Sequence, residues 1–196
     1  MNQWDRYFFD LCQVAASNSK CRSRRVGAIL VHGKKVFSTG YNGPPAGIAP
    51  CESRYALDEN LRSAIVELGD HRCKAESIDL AIATKRCPRQ YLGFKSGKGL
   101  EWCIAGHGER NAIINAASLG VPTKGATLYM NCAIPCKECM IEIINAEIAE
   151  IVVVSHVNYD LMSAFLVEQS NIKIRIYDLP DSILHGERVL WEGRKE

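Results

Sequence analysis

Two short motifs restrict this chain more than anything else in it: His107-Gly108-Glu109 and Pro135-Cys136-Lys137-Glu138-Cys139, each placed where a helix begins. After Glu109, the residues Ala112, Ile113, Ala116 and Leu119 recur at helical spacing, and Gly120 closes that segment as a C-cap. Before Pro135 the run Ala126-Thr127-Leu128-Tyr129-Met130 reads as a short strand, and after it Ile141, Ile144 and Ile148 read as helix. The positive end of a helix dipole favours thiolates over thiols, and cysteines at positions i and i+3 point to one face. His107, Cys136 and Cys139 are therefore three candidate ligands for a zinc ion. Structural zinc sites are closed by four protein ligands, whereas three leave a tetrahedral position open for water, the mark of a catalytic site. Glu109 is not needed as a ligand and stands two residues from His107, placed to move protons. A Cys-x-x-Cys pair alone also fits half of a structural zinc knuckle or a redox motif; the joint pattern favours catalysis.

The chain as a whole is consistent with one soluble domain. Its 196 residues suffice for a sizeable core. With 24 basic and 22 acidic residues and no basic arm or stripe, a long nucleic-acid duplex is not an expected partner. No apolar run approaches a membrane span, and the first residues lack the layout of a signal peptide. Nine cysteines in such a chain suggest metal ligands in a reducing cytoplasm, not disulfides.

Trp4, Phe8, Leu11, Cys12 and Ala15 share one face of an opening helix of about four turns. Residues 26–31 and 36–40 read as strands joined by a tight turn at His32-Gly33-Lys34, followed by a Gly/Pro loop from Tyr41 to Pro50. Within 52–84, Leu57, Leu61, Ala64, Ile65 and Leu68 are helically spaced, while Ile78, Leu80 and Ile82 alternate too briefly to decide. Residues 85–106 look irregular. The remainder alternates as helix 107–119, strand 126–131, helix 136–146, strand 149–154, helix 160–169 and strand 172–177. Such alternation implies a layered α/β sheet with helices on both faces. We expect one domain over 1–196, with an insert at about 52–103 and a polar tail, 178–196, whose Leu184, Val189 and Trp191 pack back onto the body.

The H-x-E and P-C-x-x-C motifs are the signature of the zinc nucleobase and nucleotide deaminases. The run Gly40-Tyr41-Asn42-Gly43 with Pro45 and Gly47, together with Asn111 and the Val26-Gly27-Ala28-Ile29 segment, resembles the deoxycytidylate (dCMP) deaminase family. The likeness runs in segments over about residues 3–50 and 87–178. It implies a three-layer α/β/α cytidine-deaminase-like fold with a mixed five-stranded sheet and an inserted helical or irregular segment. It also implies hydrolytic conversion of dCMP to dUMP and ammonia, a step that supplies dTMP synthesis. Family members are commonly homohexamers activated by dCTP and inhibited by dTTP, and a nucleotide effector can bring Mg2+ with it.

The resemblance also suggests residue roles. Glu109 would carry protons between water, N3 of cytosine and the leaving ammonia, with zinc lowering the pKa of the water. Asn42 is similar to the residue that binds the sugar, although an Asn serving the turn is the plainer reading. Tyr159 matches an aromatic residue that packs on the base, with core packing the alternative. Arg24 and Arg25 could hold a 5′-phosphate bidentately or be solvated surface charge. Three departures stand out: Gly108 where the family usually has Ala, a stretch 131–134 one residue longer than usual, and a longer insert at 52–84. The first suggests a pocket for a ring or substituent larger than plain cytosine, or a neutral glycine at a helix start.

Cys87-Pro88-Arg89, Ser96-Gly97 and Cys103 before His107 are similar to a segment that in many relatives helps bind an additional structural zinc. By that likeness Cys21, Cys51, Cys87 and Cys103 form a second metal set, stapling two irregular segments. The alternative is four buried thiols acting as small apolar residues; Cys12, Cys73 and Cys132 read that way in any case. Other functions that fit are deamination of a modified cytosine nucleotide, deamination of tRNA or RNA bases, and a non-enzymatic zinc-stabilised scaffold. An intact Glu109 argues against the scaffold.

Overall fold

The computed structural model describes residues 2–72, 86–95, 97–158 and 160–184. In chain order the elements are α1 (Gln3–Ser17), β1 (Gly27–His32), β2 (Lys35–Tyr41), α2 (Cys51–Leu57), α3 (Glu59–Arg72), α4 (Pro88–Tyr91) and a 3-10 turn (Leu100–Trp102). There follow α5 (Gly108–Ser118), β3 (Thr127–Met130), α6 (Lys137–Asn145), β4 (Glu150–Val153), α7 (Leu161–Gln169), β5 (Lys173–Ile176) and α8 (Asp181–Leu184). The residues pack as two compact units.

The first unit comprises residues 1–18, 26–41 and 107–196 and holds a five-stranded sheet of order β2-β1-β3-β4-β5. β1 is antiparallel to β2 and β3, whereas β3, β4 and β5 run parallel, so the sheet is mixed. Period-two alternation sorts each strand's side chains between two cores. Ala28, Leu30, Leu128, Met130, Ile151 and Val153 face one side, where Ala112 and Ala116 of α5 and Met140 and Ile143 of α6 pack on them. Ile29, Val31, Tyr129 and Val152 face the other, against Phe8, Phe9 and Cys12 of α1. Two cores on opposite faces of one sheet are the α/β/α layering that the alternating pattern implies. Leu184 joins the second core, so the described start of the tail does pack back; Val189 and Trp191 lie outside the described residues.

Close approach of helix to strand depends on glycine at two positions. A Cβ on Gly27 would lie 2.0 Å from the Cys12 carbonyl oxygen, and one on Gly40 would lie 2.2 Å from the Ala112 nitrogen. Gly120 has φ +68°, and its N–H donates to the Ala117 carbonyl while that of Val121 donates to Ala116. This is the Schellman closure of α5 expected of that glycine.

An ion pair ties α1 to β5. Asp5 is fully buried, and its carboxylate accepts from both terminal nitrogens of Arg175 at 2.7 and 2.9 Å and from the Asp178 N–H at 2.7 Å. Arg175 also donates to Glu150 of β4 at 3.3 Å and to the Tyr129 hydroxyl of β3 at 3.3 Å.

The second unit comprises residues 19–25 and 42–106. The helical spacing seen in 52–72 resolves into two helices, because Asp58 breaks the run with φ −102° and ψ 100°. Its carboxylate accepts from the Leu61 N–H and from Arg54 at 2.6 Å, which caps α3. The expectation of an irregular 85–106 is corrected in part: Pro88 opens α4, with Tyr91 N–H donating to Cys87 and Leu92 to Pro88. One turn is too short to show a period in sequence. Tyr55, Leu61, Ile65 and Leu92 form a small core of their own with Tyr91, Phe94 and Trp102 packed against it. Ile78, Leu80, Ile82 and Cys73 lie outside the described residues.

Candidate active site

Both motifs sit at helix starts. His107 is the N-cap of α5 and Cys136 the N-cap of α6, with extended backbone at φ −79° and −69°. The two helices lie on the same face of the sheet, which brings their N-termini together. His107 Nδ1 lies 3.2 Å from Cys139 Sγ and 3.4 Å from Cys136 Sγ, and the two sulfurs are 3.6 Å apart. Around a tetrahedral zinc with bonds of about 2.0–2.3 Å, ligand atoms sit roughly 3.5–3.8 Å apart. The three atoms thus fit zinc with little adjustment. Among the described residues they are the one group of three or more possible ligands gathered within 4.8 Å.

The hydrogen bond between the sulfurs pushes the Cys136 thiol down to about 4, against the opposing pull of burial, and the His107 ring adds to the lowering. The same bond, burial and the charge of Glu109 push Cys139 up. Zinc binds thiolates, so metal binding at this pair is coupled to proton release. Glu109 is 5% exposed in the first turn of α5, beside Cys139 yet outside the three-atom cluster. A buried carboxylate next to a three-ligand metal set can pass protons without occupying the ligand position.

Several contacts hold α5 and α6 in this arrangement that the sequence did not disclose. Arg110 donates to Glu142 of α6 from Nε at 2.9 Å and pairs with it through a terminal nitrogen at 2.8 Å. Asn111 and Asn115 donate to the Tyr41 and Thr39 carbonyls of the edge strand β2, each at 2.8 Å. Ser38 of β2 donates to the Ala112 carbonyl at 2.6 Å. Asn111 was noted in the sequence only as part of the family likeness, and nothing there named the acceptors of either asparagine.

A Cβ on Gly108 would lie 3.1 Å from the Val26 carbonyl oxygen and 3.3 Å from its side chain. Packing therefore supplies a reason for glycine here that needs no larger base. We expect Gly108→Ala to change turnover of a cytosine nucleotide and of its 5-methyl and 5-hydroxymethyl forms by one common factor. A selective loss on the larger bases, measured as kcat/KM, would return Gly108 to the pocket wall.

In the second unit, Asn42 is buried; its side-chain oxygen accepts from Ser19 at 2.8 Å and its amide donates to the Arg24 carbonyl at 2.9 Å. It thereby joins segment 19–25 to the loop after β2. Arg24 and Arg25 are exposed, and Tyr159 lies outside the described residues. Cys51 opens α2, Cys87 caps α4 and Cys103 follows the 3-10 turn. Burial pushes the Cys51 thiol up to about 11, with further rises from Cys87, Cys21 and Cys103. Each of the other three expected cysteines thus acts on Cys51, although no three of the four draw their sulfurs within 4.8 Å of one another.

The family model of the cytidine and deoxycytidylate deaminase zinc-binding region matches residues 2–155. The chain belongs to that family. A deoxycytidylate deaminase of Schizosaccharomyces pombe is 31% identical over 91% of this chain and 45% of its own length. One of Saccharomyces cerevisiae is 28% identical over 91% and 46%, so the chain spans about half the length of these two relatives. A deoxycytidylate deaminase of Mycobacterium phage D29 is 30% identical over 69% of this chain and 82% of its own. The crystal structure of the cyanophage S-TIM5 dCMP deaminase with dCMP and dUMP superposes with a TM-score of 0.57 at 17% identity, covering 90% of this chain and 98% of that one. It supports the cytidine-deaminase-like fold. Family membership and the His/Cys/Cys cluster together make zinc the metal of this site. No helix among the described residues is long and apolar enough to cross a membrane.

Proposed function

We propose that this chain hydrolyses dCMP to dUMP and ammonia, feeding dTMP synthesis, with His107, Cys136 and Cys139 holding zinc and Glu109 carrying protons. The observation that carries the reading is a three-ligand set gathered from two helix starts, with a buried glutamate outside the set on the one that supplies His107. Zinc, when bound, makes water acidic enough to serve as a nucleophile near neutral pH. Glu109 takes a proton from the attacking water and gives it to N3, which makes C4 electrophilic. The C4–O bond forms, the C4–N bond breaks, and Glu109 delivers the second proton to the departing ammonia. Asn42 is the candidate for the sugar, Arg24 and Arg25 for the 5′-phosphate, and Tyr159 for the base. The test is ammonia release from a panel of dCMP, CMP, dCTP, deoxycytidine, 5-hydroxymethyl-dCMP and a tRNA anticodon stem. Turnover should be fastest on dCMP. Release confined to the tRNA or to the modified nucleotide would overturn the assignment.

The four cysteines of the second unit belong to the same proposal, as a structural zinc site closed by Cys21, Cys51, Cys87 and Cys103. The electrostatic effect of Cys87, Cys21 and Cys103 on the buried Cys51 supports it. Metal analysis is expected to give two zincs per chain, and Cys87→Ser one zinc with a lower Tm. One zinc per chain in the wild type, with Cys87→Ser harmless, would remove this site.

As the family resemblance implies, we also assign the chain to a cytoplasmic homohexamer regulated by nucleotides, with both packing units in one deaminase domain. Sigmoidal dCMP dependence should become hyperbolic with dCTP and Mg2+ and be depressed by dTTP, since an effector shifts such an equilibrium only by binding two states unequally. Hyperbolic kinetics indifferent to both nucleotides would confine the resemblance to the catalytic centre.

A further inference from the structure

The two peptide groups that flank the ligand Cys136 are both held by the first turn of α7. On the near side, the Ser163 hydroxyl donates to the Pro135 carbonyl at 2.7 Å, and Ser163 is fully buried. On the far side, the Lys137 N–H donates to Oδ2 of Asp160 at 2.8 Å. The other oxygen of Asp160 accepts from the Met162 and Ser163 N–H groups at 3.0 and 3.2 Å, which makes Asp160 the N-cap of α7. One carboxylate thus serves the N-termini of two helices at once. Cys136 itself, as N-cap of α6, makes no side-chain cap bond. The Lys137 N–H, the first of α6, is instead satisfied from outside the helix by Asp160.

We propose that Asp160 and Ser163 are positioning residues for the zinc ligand Cys136, fixing its backbone from both sides so that its sulfur meets Cys139 and His107. The inference rests on the ligand assignment made above. Its physical ground is that a metal ligand's affinity depends on how firmly its orientation is fixed by the groups behind it, typically by about 10–100-fold. The backbone donors, that of Lys137 foremost, hold the Asp160 carboxyl below the usual carboxylate range, as befits an acceptor that stays ionised. Neither residue belongs to the three-atom ligand cluster; each acts through the 135–137 backbone.

Asp160→Asn is the informative variant. An amide offers one oxygen where the carboxylate offered two, so it cannot accept from Lys137 and cap α7 together. Ser163→Ala releases the other side, and Asn2→Ala, which removes the N-cap bond to Trp4 in α1, serves as a cap-loss control far along the chain. The measurements are zinc affinity by chelator competition and the thiolate-to-metal absorption of the Co2+-substituted protein, alongside Tm. Wild type should show Co2+ bands of a site with two thiolates beside those of the four-cysteine set, the latter identified as the bands lost in Cys87→Ser. Asp160→Asn should weaken zinc binding by about 10–100-fold and shift the two-thiolate bands, and Ser163→Ala should do so to a smaller extent. Asn2→Ala should lower Tm and leave both metal readouts unchanged. Metal affinity and Co2+ spectra of Asp160→Asn and Ser163→Ala matching wild type would overturn the positioning role. A wild type without the two-thiolate bands would instead overturn the ligand assignment and this inference with it.

Discussion

Glu109→Gln is expected to reduce dCMP turnover by at least about 10²-fold while the protein keeps its zinc and its fold. The amide matches the carboxylate in shape but cannot take a proton from water or return one to ammonia. General acid–base catalysis of this kind is typically worth about 10²–10⁴-fold, and here one group serves both protonations. Because Glu109 lies outside the three-atom ligand cluster, its replacement leaves the metal set intact. The measurements are steady-state kinetics, zinc content and circular dichroism on one preparation. The fall should appear in kcat, since the interaction lost is made in the transition state. Activity within about tenfold of wild type would remove Glu109 from the mechanism.

Arg175→Ala is expected to be the most damaging of the changes to the scaffold, at about 3–5 kcal/mol, because it leaves the fully buried Asp5 carboxylate without its counter-ion. Asp5→Ala should cost less, about 3 kcal/mol, since the guanidinium left behind is partly exposed and keeps Glu150 as a partner. The double variant should cost clearly less than the sum of the two, which is the mark of a coupled pair. Denaturant unfolding of the four proteins measures the cycle. Additive losses would mean that the bidentate contact contributes nothing of its own. No pattern in the sequence pointed to this pair: the partners are 170 residues apart, and each sits in a segment read for its apolar face.

The same contrast runs through the molecule. The strands of the sheet and the helices between them were legible because each carries its own period, and Ala28 through Val31 divide between the two cores as strict alternation requires. The His/Cys/Cys cluster and Glu109 were legible because each of the two motifs keeps its spacing within its own helix start, which is local. What escaped was whatever depends on a second segment. Asp58 splits one apparent helix into two through contacts with Arg54 and Leu61. Arg110 reads as surface charge until Glu142 of the neighbouring helix is placed beside it. Asp160 looks like an ordinary helix cap, and only the fold puts the Lys137 N–H on its other oxygen. Gly40 was noticed as part of a family motif, yet its physical necessity comes from the Ala112 backbone pressed against it.

The most direct measurement is dCMP conversion followed spectrophotometrically on one preparation in three states: zinc-loaded, stripped by chelator, and reloaded. Turnover to dUMP with one ammonia released per dCMP should vanish with the metal bound through His107, Cys136 and Cys139, and return when zinc is restored. Full turnover by protein stripped to less than about a tenth of an equivalent of zinc, or a zinc-loaded protein that leaves dCMP untouched, would contradict the assignment.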